Sequence, residues 1–136
     1  MKGLRRKPTD AELAILTVLW AKGPGTVRRI AEEMGREAGY TTILKLLQIM
    51  TEKALVVRDE AARTHIYAAA YTQDQTQRQL VTDLLERAFD GSAAKLVLQA
   101  LAASKTSPED LAEIKKLLRA AGGPAAGEDP KPGGSR

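Results

Sequence analysis

The spacing of apolar residues changes abruptly in the middle of the chain, and this change limits the folds that the sequence can adopt. Before it, apolar residues recur at helical spacing in three segments, at about 10–21, 27–35 and 40–53. After it, LVVRDE and RTHIYAAAY are rich in Val, Ile, Thr and Tyr, and Asp59 to Ala62 between them suits a hairpin connection. Three helices followed by a β-hairpin predict a winged helix-turn-helix.

Capping residues mark where the first two helices begin and end. Thr9 starts the pattern T-D-A-E, in which a Thr N-cap and Glu12 three positions later form a capping box. A Gly23-Pro24-Gly25 stop follows the first helix, and Thr26 behind it is a second N-cap. We therefore expect two helices separated by a tight turn.

From Thr72 the sequence returns to helical spacing in three further segments, which break at Asp90-Gly91 and before Ser107-Pro108. Each segment carries an apolar stripe, and a helical stretch of about 50 residues cannot bury all three stripes alone. Pairing of two chains would cover the surplus. The predicted dimer contacts are Leu80, Leu84, Leu85, Phe89, Leu96, Leu101, Leu111, Ile114 and Leu118.

The predicted fold is mainly α with one small β-hairpin. Residues 1–71 are expected to form a winged-helix DNA-binding domain, and residues 72–121 a helical dimerisation domain. The remainder, residues 122–136, reads GGPAAGEDPKPGGSR and consists of Gly and Pro with scattered charge. Because such a segment has nothing to bury, we expect it to be a disordered tail.

The residue types present exclude most catalytic sites. The chain has no cysteine and one histidine, His65, so disulfides, thiolate zinc sites and His clusters within one chain are excluded. Carboxylates such as Glu32, Glu52 and Asp59 fall on separate predicted elements rather than in one pocket. We therefore expect no enzymatic activity, no cofactor and no metal.

The cytoplasm is the expected location, without membrane insertion. No apolar run approaches the roughly 18 to 20 residues that span a bilayer. The N-terminus MKGLRRKPTDAE has basic residues but lacks the apolar segment of a secretory signal.

The positive charge is confined to the first half of the chain. Residues 1–71 hold 12 Lys and Arg against 8 Asp and Glu, whereas residues 72–136 hold 9 against 9. The whole net charge of +4 therefore lies in the predicted winged helix. A basic half joined to a neutral half suggests one part that meets a polyanion and another with a different task.

The third predicted helix has a polar face of a kind suited to DNA. Ile43, Leu46, Leu47 and Met50 define its core side, and the opposite side carries short hydroxyl, ammonium and amide groups. Such groups can bond base edges or phosphates when a helix enters the major groove N-terminus first. The alternative is an ordinary solvated face. The predicted DNA contacts of this helix are Thr41, Thr42, Lys45 and Gln48.

Three arginines extend this prediction beyond the helix. Arg58 and Arg63 stand near the hairpin tip, where a wing lies along the DNA backbone and an arginine pairs with phosphate. Arg6 belongs to the basic N-terminal arm, which could track phosphates. The alternative for each of these arginines is an exposed charge on a loop or a terminus that binds nothing.

Several segments together resemble a known family. They are Asp10-Ala11-Glu12-Leu13 with Val18-Leu19-Trp20, Tyr40-Thr41-Thr42-Ile43, Glu52-Lys53-Ala54-Leu55 and Arg63-Thr64-His65-Ile66-Tyr67. From about residue 8 to residue 120 the chain resembles the penicillinase-repressor family of bacterial transcriptional regulators, the BlaI/MecI type. The resemblance is specific in the first two segments and mostly a matter of pattern in the helical second half.

The resemblance implies a homodimeric repressor that binds a palindromic operator in double-stranded DNA. The winged helix would contact the operator, and the C-terminal helices of two chains would interlock. Thr41, Thr42 and Lys45 match the family's recognition helix, and Arg63 matches its wing. In the founding members a membrane sensor metalloprotease triggers cleavage of the repressor, so such a protease is an implied partner.

The chain departs from the family pattern at three places. Ile49-Met50 replaces a common Arg-Leu, which removes a DNA contact, and Ala54 replaces the usual Gly after the recognition helix. The regulatory cut of the founding members falls at an Asn-Phe pair, and Gln99 and Ala100 occupy the matching positions here.

A protein-protein interaction module without DNA activity is the alternative function, because some winged helices bind proteins through the same surface. The modest net charge of +4 is compatible with this alternative. Salt separates the two functions, because the affinity of a DNA-binding protein falls steeply with ionic strength.

Overall fold

The structure is a computed structural model that describes residues 7–35, 39–61 and 63–126. The described residues form six helices and one two-stranded sheet. In chain order these are α1 (Asp10–Lys22), α2 (Val27–Met34), α3 (Tyr40–Glu52), β1 (Val56–Asp59), β2 (Ile66–Ala69), α4 (Gln73–Ala88), α5 (Ala93–Ala103) and α6 (Pro108–Ala126). This architecture is a winged helix-turn-helix followed by further helices, and it confirms the predicted fold class.

The helices begin where the capping residues predict. The Glu12 N–H donates to Thr9 Oγ1, and the Thr9 N–H donates back to the Glu12 carboxylate at 2.9 Å, which completes the capping box of α1. The N–H of Arg29 donates to the Thr26 hydroxyl at the start of α2. Each side-chain oxygen satisfies a backbone N–H that the helix itself leaves without a partner.

The described residues divide into two compact units, one that runs up to Ala88 and one that starts at Phe89. The core of the first unit is formed by side chains from α1, α2, α3 and the hairpin. Its buried apolar members are Ile15, Leu16, Leu19, Val27, Ile30, Ile43, Leu47, Met50, Leu55, Val56 and Tyr67.

The hairpin is tied to the turn between the first two helices. β1 and β2 pair antiparallel with Arg58 opposite Tyr67. Tyr67 also exchanges two backbone hydrogen bonds with Gly25, at 2.8 and 3.0 Å. Gly25, in the segment that the sequence marks as a helix stop, thus forms an isolated antiparallel bridge to β2. This contact holds the wing against the helix-turn-helix.

Helix α4 packs with the winged helix, so the first compact unit extends beyond the domain boundary expected at residues 71 and 72. The Trp20 indole N–H donates to the Tyr71 carbonyl at 2.9 Å, just before α4 begins. Leu80 packs against the core of the first unit, and Lys7 Nζ lies 2.9 Å from Asp83 Oδ2. The apolar stripe of α4 therefore has an intrachain partner at one of its positions.

Helices α5 and α6 lie in the second unit. Ser92 caps α5 by accepting the Lys95 N–H, and the Ser107 hydroxyl accepts the Asp110 N–H at the start of α6. Helix α6 continues to Ala126, so the first residues of the segment expected to be disordered are helical, consistent with the alanines that lead into it. Residues 127–136 of the expected tail lie outside the described residues.

Candidate nucleic-acid interface

Helix α3 has one buried face and one exposed polar face. Ile43, Leu47 and Met50 are at most 1% exposed. At about 100° per residue, the predicted contact positions turn away from this core side. All of them are exposed: Thr41, Thr42, Lys45 and Gln48. The structure thus brings these side chains together on one surface, and their contact with DNA stays a prediction.

The N-terminal end of α3 can accept an anion next to this face. Gly39 is the N-cap and has no side chain to bond the N–H groups of the first turn. Tyr40, the first residue of the helix, is 52% exposed. The free N–H groups of a first turn carry the positive end of the helix dipole. A phosphate oxygen near Thr41 would therefore meet favourable electrostatics.

Arg58, a predicted wing contact, already has a carboxylate partner. It lies in β1, and its Nε donates to Glu60 Oε2 at 2.8 Å. The Glu60 carboxylate, and after it the Tyr67 hydroxyl, raise the pKa of the Arg58 guanidinium above its ordinary value. A phosphate would have to displace Glu60 to reach Arg58. The sequence analysis did not predict this ion pair, because it treated Glu60 as part of the hairpin turn and not as a partner of Arg58.

The remaining predicted basic contacts fall in different settings. Arg63 is exposed in the loop between the two strands, as expected for the tip of a wing. Arg6 lies outside the described residues. Its neighbour Lys7 is bonded to Asp83 of α4, so this part of the arm is anchored on the first unit.

A polar cleft beside α3 was not predicted from the sequence. It has a volume of about 400 Å³ and is lined by Thr26, Val27, Arg28, Tyr40 and Thr64. These residues come from the start of α2, the start of α3 and the wing loop, so only packing brings them together. The one sequence feature that could have indicated an anion site is the Arg28-Arg29 pair in the first turn of α2.

The predicted dimer contacts of the first unit lie on α4 and differ in exposure. Leu80 packs on the core, Leu85 is half-buried, and Leu84 is 44% exposed. Val81, which the sequence prediction omitted, is exposed beside them. Helix α4 therefore still presents apolar surface after the first unit has folded.

The second unit exposes more apolar surface. Phe89, Leu96 and Ile114 are half-buried, and no residue of α5 is fully buried. The exposed large side chains of this unit are Val97, Leu98, Leu101, Leu111, Leu117 and Leu118. Of these, Leu101, Leu111 and Leu118 were predicted as dimer contacts. Leu98 is the most exposed, at 66%, and was not predicted.

Gln99 and Ala100, which match the cleavage position of the family's founding members, lie within α5 and are exposed. Proteases bind their substrates in extended form, so cleavage here would require α5 to unwind locally. Cleavage between Gln99 and Ala100 stays a prediction.

Within residues 7–35, 39–61 and 63–126, no cluster of three or more His, Asp or Glu side chains could hold a metal ion. None of the helices in that part of the chain is long and apolar enough to cross a membrane.

Comparison with known proteins identifies the family. The family model described as penicillinase repressor matches residues 8–120. Two proteins named transcriptional regulator BlaI, from Mycobacterium tuberculosis strains CDC 1551 / Oshkosh and ATCC 25618 / H37Rv, are each 33% identical to this chain over 92 residues. The match covers 65% of this chain and 67% of each relative. The chain therefore belongs to the penicillinase-repressor family of transcriptional regulators, which bind DNA and are not enzymes.

Proposed function

We propose that the chain is a homodimeric repressor that binds a palindromic operator through α3 and the wing. The observation that carries this proposal is the two-sided character of α3. On its core side Ile43, Leu47 and Met50 are buried, whereas Thr41, Thr42, Lys45 and Gln48 all face solvent. Three of these side chains are short or carry an amide, which suits contact with base edges in a major groove.

Sequence specificity and affinity would come from different residues. Thr41, Thr42, Lys45 and Gln48 would contact bases, with the Thr methyl groups able to touch thymine methyls. Arg63 at the wing, and Arg6 in the arm, would pair with phosphates and orient the domain. Arg58 would contribute less, because Glu60 already neutralises it.

Dimerisation is supported by the apolar surface that the helices of the second half leave exposed. Leu98, Leu117 and Leu118 are each at least 58% exposed. Several large apolar side chains exposed on neighbouring helices are typical of an interaction surface. A second copy of residues 72–121 is the proposed cover. With twofold symmetry, the two copies of α3 would meet successive major grooves about 34 Å apart.

Repression would follow if the operator overlaps a promoter, because a bound dimer excludes polymerase.

Release by a membrane sensor metalloprotease is a separate part of the proposal, with the bond between Gln99 and Ala100 as the candidate cut. Mass spectrometry after incubation with a cognate protease should yield a fragment ending near Leu98 to Ala100. An intact chain, with DNA binding unchanged, would remove the proteolytic step and leave the rest standing.

Two measurements test the dimeric DNA-binding repressor. Sedimentation at micromolar concentration should give about twice the monomer mass of 14.7 kDa. Binding to a selected duplex should weaken steeply with salt, by a log-log slope of about 0.9 per phosphate contact. A monomer whose weak DNA binding does not depend on salt would instead favour a protein-protein interaction module.

A further inference from the structure

We propose that the cleft between α2, α3 and the wing holds one backbone phosphate of the bound DNA, and that Arg28 pairs with it. The proposal deepens the proposed function and rests on it, because the phosphate belongs to the operator duplex. It adds a contact that fixes how α3 enters the groove and that neither the wing arginines nor the polar face of α3 supplies.

The chemistry of the cleft is that of an anion site. Of its five lining residues, one is a guanidinium and three carry hydroxyls: Arg28, Thr26, Tyr40 and Thr64. Among the described residues, none that lines the cleft is a carboxylate. The Thr26 oxygen accepts the Arg29 N–H, so its own O–H can still donate to an anion. A single positive charge surrounded by three O–H donors matches the needs of a phosphodiester.

Arg28 differs from its basic neighbours in what it touches. Arg29 Nη2 donates to the Lys22 carbonyl at 3.4 Å, and Arg58 is paired with Glu60. None of the ion pairs among the described residues involves Arg28. Its guanidinium can therefore bind an external anion without giving up a partner in that part of the chain.

A small apolar ligand is a poor match for the same space. Ligand pockets are mostly apolar with a few buried polar groups. Among the described residues that line the cleft, Val27 is the single apolar one and is itself buried, while Arg28, Tyr40 and Thr64 are exposed. The site suits a charged group that stays partly in water, as a phosphate on the DNA surface does.

The position of the cleft identifies the DNA backbone as the source of the phosphate. Tyr40 lines the cleft and is followed directly by Thr41 and Thr42, the first side chains of the exposed face. A helix that enters the major groove by its N-terminal end has a backbone strand passing beside that end. Thr64 brings in the wing loop from the other side. Arg28 would thus be a positioning residue, because phosphate contacts set register and orientation without selecting bases.

The test compares Arg28→Ala with the matched control Arg29→Ala, which removes the same charge from the next residue of α2. Each full-length variant is titrated onto a selected operator duplex and onto a random duplex, between about 50 and 200 mM salt. Arg28→Ala should weaken both duplexes alike and lower the salt slope by about 0.9, the value for one phosphate. Arg28→Lys should restore most of the slope, whereas Arg29→Ala should change it much less.

Several results would overturn the proposal. One is an equal change of slope in the two alanine variants, which would mean that α2 contributes only a general positive field. Another is a loss confined to the selected duplex, which would make Arg28 a base contact. Thermal unfolding shows whether each variant is folded, and Tyr40→Phe offers an independent variant, for which a smaller loss on both duplexes is expected.

A third arm separates a DNA phosphate from a free one. The wild-type protein is titrated with inorganic phosphate alone while the NMR signals of Arg28 and Tyr40 are followed. Weak, non-saturating shifts are expected, and tight saturation would overturn the proposal in favour of a small-anion site. If the wild-type protein fails to bind any duplex, the proposed function itself fails. If it binds and Arg28→Ala matches Arg29→Ala, only the present proposal fails.

Discussion

Lys53 Nζ lies 2.7 Å from Glu12 Oε1, a contact that joins the end of α3 to the first turn of α1. The Glu12 side chain is 3% exposed and that of Lys53 15%. The same carboxylate oxygen accepts the Thr9 N–H of the capping box. One buried group therefore caps the first helix and secures the last residues of the helix that carries the candidate DNA face.

This ion pair makes the free energy of unfolding of the first unit fall at acidic pH. Burial of the Glu12 carboxyl raises its pKa, but the hydrogen bonds from Lys53 and Thr9 outweigh burial and hold the pKa in the folded protein below its ordinary value. A folded pKa below the unfolded one stabilises the fold fully above the unfolded value. That stabilisation is lost as the pH falls through the folded pKa.

Urea unfolding of the wild-type protein and of Glu12→Gln between about pH 7 and pH 3 tests this dependence. The wild-type protein should lose free energy of unfolding as the pH drops below the ordinary pKa of a glutamate carboxyl, whereas Glu12→Gln should be less stable at neutral pH and lose less in acid. Asp10→Asn, which changes an exposed carboxylate of the same helix turn, is the control and should keep the acid-linked loss. Equal acid-linked losses in Glu12→Gln and the wild-type protein would contradict the assignment.

Ala54→Gly should stabilise the protein. Ala54 follows α3 with a φ of 63°, in the left-handed region that a β-carbon disfavours. An alanine held at this φ is strained, whereas a glycine is not. We expect the free energy of unfolding to rise by about 1 kcal/mol. Thermal unfolding measures the change, and Ala14→Gly, on an exposed site within α1, should instead destabilise by about 1 kcal/mol. A lower melting temperature for Ala54→Gly would refute the strain argument.

Lys45→Ala and Arg63→Ala should weaken DNA binding in different ways. Lys45 lies on the polar face of α3, so its loss should weaken the selected operator by about 1–3 kcal/mol more than random DNA. Arg63 lies on the wing loop, so its loss should weaken both alike. Fluorescence anisotropy with the two duplexes distinguishes these patterns. Equal losses for Lys45→Ala would demote that residue to a phosphate contact.

Ile49→Arg should strengthen DNA binding. Ile49 is 38% exposed on α3, on the flank beside the polar face. If the new guanidinium reaches the DNA backbone, the salt slope should steepen by about 0.9 for one added phosphate contact. Ile49→Gln is the control, because it introduces a polar side chain that carries no charge. A slope unchanged in Ile49→Arg would mean that this flank of α3 stays away from the backbone.

The sequence was sufficient to predict α3 and its two faces because both follow from local spacing. Ile43, Leu47 and Met50 recur at helical intervals, so the buried side determines the exposed one. The capping box of Thr9 and Glu12 is equally local. Such features depend only on residues a few positions apart, and the structure confirms them.

Features that depend on packing between distant segments could not be predicted in this way. The cleft of Arg28, Tyr40 and Thr64 exists because α2, α3 and the wing loop meet in space. The apolar stripe of α4 would look the same whether Leu80 packed on its own chain or on a partner. Periodicity shows that a face is apolar and does not show what covers it.

Selection of bound sequences from a random DNA library, with affinities repeated at two salt concentrations, is the decisive test of operator binding by a dimer. A dimeric operator-binding repressor should select a palindromic motif whose half-sites lie about one helical turn apart, with affinity that falls steeply as salt rises. No enriched sequence, together with little salt-sensitive binding, would contradict it. That result would mean that the exposed face of α3 binds a protein rather than DNA.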